Sequence, residues 1–117
     1  MASIQIVVLM PVMFLLMFVG MQAAMIYHAR TVAIAAAQEG ARAAAAQNGT
    51  PQAGHSAATT FVVAAGGEGT LRDVTVTSNR TPTTVTVVVT GTTLSVIPGW
   101  TPSITQSASA PVERITR

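Results

Sequence analysis

The chain has no cysteine and no lysine, and charged residues make up only 9% of its 117 positions. Without cysteine no disulfide can staple the fold. That absence leaves the redox compartment open, because exported domains need not use disulfides. All six cations are arginines, Arg30, Arg42, Arg72, Arg80, Arg114 and Arg117, scattered along the chain, and the few aromatics do not interleave with them. A nucleic-acid surface needs a basic stripe or a stacking platform, so no nucleic acid is expected as a partner.

Groups for chemistry are equally sparse. The four acids, Glu39, Glu68, Asp73 and Glu113, show no paired spacing. His28 and His55 fall in different elements, and neither sits in a ligand spacing such as HExxH. His28, at the end of an apolar run, reads as an interfacial residue. Ser56 beside His55 lacks the third member of a triad. Gly66-Gly67-Glu68-Gly69 lacks the Lys-Ser/Thr of a phosphate-binding loop and precedes a strand. Asn48-Gly49-Thr50 and Asn79-Arg80-Thr81 match the glycosylation triplet, a pattern common by chance. No enzyme activity, metal or cofactor is expected.

What is present is apolar length. The 27 residues from Met1 to Tyr27 carry no charged side chain. A helix of that length reaches about 40 Å, against a hydrocarbon layer ~30 Å thick. The segment therefore belongs in lipid, or in the core of an assembly that replaces lipid. It does not read as a secretory signal, which would have a positive leading region and a shorter apolar run. Gln22-Ala23-Ala24 offers small residues for cleavage, but Met25-Ile26-Tyr27 continues the helix past them. The first charge is Arg30, which taken literally would keep the C-terminal part inside the cell. The Thr/Ser/Val-rich remainder looks exported, and a removed basic leader would reconcile the two.

Residues 2–46 read as one helix with two characters: a lipid-like half, then an alanine-rich half that alanine's high helix propensity sustains. Glu39 and Arg42 stand at i,i+3 and can pair. Asn48-Gly49-Thr50-Pro51 stops the helix. Pro11 predicts a kink or a locally loosened turn. Met10, Met13, Met17, Met21 and Met25 recur in steps of three and four, giving one stripe suited to adaptable helix packing. Gly20/Ala24 and Ala36/Gly40/Ala44 have the small-xxx-small spacing that lets helix backbones approach closely.

Gln52 to Ala65 reads as a second helix with Ala57, Phe61, Val62 and Ala65 on one face, broken by Gly66-Gly67-Glu68-Gly69. From Leu71 the period becomes two. Val74 and Val76 alternate with threonines, as do Val85, Val87 and Val89, with Ser78-Asn79-Arg80-Thr81-Pro82 as the turn of a hairpin. A third strand is expected over Thr92–Ile97, ended by Pro98-Gly99, and a fourth over Ser103–Ala110. Trp100 either marks a ligand pocket or fills the core of the sheet. The expected class is α+β: a long hydrophobic helix, a short second helix and a small three- to four-stranded antiparallel sheet. Residues 1–47 form the membrane or filament-core helix, and 48–117 a small head covered by the alanine-rich half.

Three groups of residues carry a family resemblance. The chain begins Met1-Ala2-Ser3-Ile4-Gln5-Ile6-Val7-Val8-Leu9-Met10-Pro11. It continues through Tyr27-His28-Ala29-Arg30 and Ala35-Ala36-Ala37-Gln38-Glu39-Gly40-Ala41-Arg42. It ends in Val96-Ile97-Pro98-Gly99 and Ala108-Ser109-Ala110-Pro111-Val112-Glu113. This pattern resembles actinobacterial TadE-like proteins, pilin-like components of tight-adherence (Tad) pilus systems within the type IV pilin superfamily.

The resemblance implies a leader removed by a prepilin peptidase, with Met1 suited to the first mature position. It implies a single-pass protein of the cytoplasmic membrane, C-terminus outside, that passes into an extracellular pilus. Its partners there would be copies of itself or related pilins and the pilus assembly machinery. Pilin-like proteins usually have Glu at the fifth position to neutralise a neighbour's N-terminal amine. Gln5 can accept a hydrogen bond there but supplies no charge, and an unpaired charge in an apolar core is costly. The expectation is a structural pilus subunit; the alternative is a single-pass anchored accessory or binding protein that does not polymerise.

Overall fold

Alanine density and the 3.6-residue period produce the dominant element, α1, which spans Ala2–Ala45 in the computed structural model. The structure describes residues 2–46, 48–65 and 71–112. Met1, the Gly66-to-Gly69 breaker and Glu113 lie outside the described residues. Pro11 lies inside α1, which continues on both sides of it. In its second half the buried positions are Ala29, Val32, Ala33, Ala36, Ala37, Gly40, Ala41, Ala44 and Ala45, a stripe with helical spacing. Glu39 and Arg42 pair on the exposed side at 3.1 Å, as their spacing predicts.

A short connection turns the chain back. Gly49 donates its N–H to the Ala46 carbonyl at 2.8 Å, and a Cβ on Gly49 would fall 2.6 Å from the Ala43 carbonyl oxygen. Thr50 then caps the next helix by accepting the Ala53 N–H on its hydroxyl at 3.1 Å. Pro51 takes the first helical position, where its missing donor is harmless. This helix, α2, runs Pro51–Ala65 and buries Gly54, Ala58 and Val62.

The observed face of α2 is rotated from the expected one. Ala57 and Phe61 lie half-buried at its margin and Ala65 is exposed. The cause is the contact between Gly54 and Gly40, where two backbones meet without side chains. A Cβ on Gly40 would stand 2.8 Å from the Gly54 oxygen and 3.1 Å from the Ala58 Cβ.

Among the described residues three strands complete the head: β1 (Arg72–Arg80), β2 (Thr84–Thr92) and β3 (Ser103–Pro111). They form an antiparallel sheet in the order β1-β2-β3. Ser78, Asn79 and Arg80, expected in the turn, belong to β1, and the connection to β2 begins at Thr81, whose N–H and hydroxyl both donate to the Thr84 carbonyl, at 2.8 and 2.9 Å. Val85, Val87 and Val89 point inward and are fully buried against the alanines of α1, joined by Ile104. Each buried valine contributes roughly 1.5–3 kcal/mol relative to exposure. Small alanines let the helix lie close to those branched side chains, and Leu71, 2% exposed, fills the same core.

β1 contains a bulge. Arg72 faces Thr92 and Thr75 faces Thr90, so Asp73 and Val74 share Gly91 as their opposite number. Asp73 takes a left-handed backbone with φ of 52°, a conformation aspartate tolerates better than most residues.

The sheet corrects one expectation. Thr92–Ile97 is not a strand: β2 ends at Thr92, and the following residues form an ordered loop against α1. Ser103–Ala110, expected as the fourth strand, is the third. The reason is a competing partner for the loop backbone, the side chain of Gln22.

Candidate functional site

Two surfaces of α1 differ in kind. From Ser3 to Met21 every residue is exposed in the isolated chain, including Val7 at 70% and Leu16 at 65%. From Ala29 onward the inward face is sealed by the head. So large an apolar surface needs an environment other than water. The segment is long and apolar enough to cross a membrane.

The sequence-derived packing residues divide between these surfaces. Met10, Met13, Met17 and Met21 are exposed, and the first three line a shallow apolar groove with Phe14. Met25 is half-buried, and its carbonyl accepts the Thr93 hydroxyl at 3.4 Å. Gly20 is open: a Cβ there would meet nothing within 4 Å. Ala24 beside it on the next turn is exposed, as are Gln5 and Pro11.

Ala36, Gly40 and Ala44 are buried inside the chain's own head. Their close-packing spacing serves α2 and the sheet, whereas Gly20/Ala24 and the methionines from Met10 to Met21 remain open. A substitution at Gly40 therefore tests the fold, and one at Gly20 tests contacts outside it.

The structure adds a residue that sequence reasoning passed over. Gln22 is 2% exposed. Its Nε2 donates to the Leu94 carbonyl at 3.2 Å, and its Oε1 accepts the Val96 N–H at 2.8 Å. One amide side chain thus satisfies two backbone groups two residues apart, as a neighbouring strand would. The available signal was a lone amide in an apolar helix, which must find partners if it leaves water.

The loop that Gln22 holds is closed on itself. Thr93 N–H donates to the Pro102 carbonyl at 3.2 Å, and Trp100 N–H to the Ile97 carbonyl at 3.3 Å. Pro98 and Gly99 occupy the two central positions of that turn, with Gly99 at φ 79°, the type II pattern. Ser95 accepts the Ile97 N–H at 3.1 Å. Trp100 does not fill the core of the sheet. With Ile97 it borders a small apolar cavity against Val19, Gln22, Ala23 and Ile26 of α1, and it stays 46% exposed.

His28 and His55 are exposed on separate helices. Among the described residues no three His, Cys, Asp or Glu side chains gather where they would hold a metal.

A family model described as TadE-like protein matches residues 1–42. The matched stretch is nearly all of α1, and the second helix and sheet lie beyond it. No curated protein and no solved structure matches the chain. Over its N-terminal helix the chain is similar to TadE-like proteins, and the remainder is known here from its fold.

Proposed function

We propose that this protein is a structural, pilin-like subunit of a Tad-type surface pilus. Its N-terminal helix is held in the membrane and then packed against copies or relatives in the core of a fibre. The observation that carries this reading is the division of α1 at about Ala29. The inward face of the second half is covered by the head, while the first half presents an uncovered apolar surface with the methionines from Met10 to Met21 and an open Gly20/Ala24 step. Methionine adapts to irregular partners, and small residues let backbones approach, so these are the contacts a helical core would use. The head, with its exposed outer row of threonines and serines, would face outward.

A single-pass anchored accessory protein is the second reading. Gln5 favours it, because an uncharged residue at that position brings no compensation for a neighbour's amine. Shearing cells and measuring the mass of the N-terminal peptide in the released fraction separates the two. A peptide beginning at Met1 in a fibre fraction, with an encoded leader removed, is the result expected of a pilus subunit. An uncut chain confined to the membrane pellet overturns that reading in favour of the anchor. Gly20→Leu sharpens the test: it should leave the head folded and deplete the fibre fraction.

A further inference from the structure

We propose that the loop from Thr93 to Pro102 is a second, non-helical contact with the membrane, seating Trp100 in the interfacial layer of the bilayer and fixing how deeply α1 inserts. This rests on the membrane-held stage of the function proposed above. The loop carries no charged side chain, and its turn presents Pro98, Gly99 and Trp100 to the outside. Trp100 lines one small apolar cavity with Val19 and Ala23, at the point where the exposed apolar surface of α1 meets the head. The patch formed by Trp100 is therefore continuous with the surface read as lipid-facing.

Length agrees with this placement. From Ala2 to Val19 a helix rises about 27 Å, close to the ~30 Å hydrocarbon layer. Extending the span to Tyr27 would overshoot it by about two turns. Tyr27, 74% exposed, His28 and Arg30 then follow in the headgroup layer and beyond, the order in which aromatic and cationic groups flank spans.

Gln22 fits the same boundary. An amide entering hydrocarbon without partners is costly, but here both its polar atoms are used by the loop backbone. The loop shields the amide, and the amide holds the indole at one level on the helix. The occupant is lipid, because an amphipathic indole on an uncharged turn matches the acyl–headgroup boundary.

Trp100 is the sole tryptophan, so its fluorescence reports this position alone. The full chain would be reconstituted into phosphatidylcholine–phosphatidylglycerol vesicles whose acyl chains carry bromine near either the carbonyl or the methyl end, then floated. The expected result is co-flotation with blue-shifted emission and a greater loss of intensity from the carbonyl-end bromines. Co-flotation with water-like, unquenched emission overturns the loop contact and leaves the membrane-held helix standing. Stronger quenching by the methyl-end bromines also overturns it, since the indole would then lie below the interface. Failure to float overturns both the loop contact and the membrane stage. Trp100→Ala, floated in parallel, should retain co-flotation, because α1 alone supplies the main anchor.

Discussion

Gly40 of α1 and Gly54 of α2 meet backbone to backbone: a Cβ on either would fall within 2.9 Å of the other's carbonyl oxygen. The two helices are thus as close as their main chains allow, and neither position has space for a methyl group. Gly40→Ala should destabilise the head by about 1–3 kcal/mol, because the strain of overpacking exceeds the gain in helix propensity. Gly20→Ala, in open space, should change stability by no more than about 1 kcal/mol. Denaturant unfolding of the detergent-solubilised chain, followed at the sheet, checks both. Equal effects at the two glycines would refute the close contact.

Removing the Gln22 amide should loosen one loop and little else. Gln22→Leu leaves the Leu94 carbonyl and the Val96 N–H without their side-chain partner, at about 1–3 kcal/mol for each group left buried. Amide exchange at Val96 should accelerate while Val87 and Val89 stay protected. Unchanged protection at Val96 would show that the loop holds its own conformation.

Asp73 should rank its substitutions by backbone rather than by charge. Asp73→Gly is expected to be neutral or stabilising, and Asp73→Val to lose about 1–2 kcal/mol through the left-handed conformation. Thermal unfolding of the three proteins gives the order. Equal losses for glycine and valine would mean that the carboxylate, not φ, matters at this bulge.

Ser78 offers the opposite sign. Its hydroxyl is buried beside Gly54 and has no hydrogen-bond partner among the described residues. Ser78→Ala removes a desolvated polar atom, so stability should hold or rise by up to about 1 kcal/mol. A clear loss in the melting temperature would reveal a partner for the hydroxyl in solution.

Much of this architecture is written in local pattern. The apolar run, the alanine stripe from Ala29 to Ala45 and the Val/Thr alternation of β1 and β2 each follow a period that one element alone satisfies. Their types could be read without knowing what they touch. The Thr92–Ile97 segment shows where this stops. Its composition suits a strand, yet Gln22, more than seventy residues earlier, takes its backbone groups. Composition reports what a segment is able to pair with, and only three-dimensional proximity reports what it does pair with.

The same division runs through the candidate assembly surface. Small-residue spacing looks identical at Gly20/Ala24 and at Ala36/Gly40/Ala44. Sequence by itself determined that α1 is helical, apolar at one end and narrow enough along these steps for close approach. Only the tertiary structure decided which step is still open, because α2 and the sheet cover the second and reach no further down the helix than the loop at Trp100. Periodicity is a property of one chain segment, whereas availability depends on what the rest of the chain has already buried.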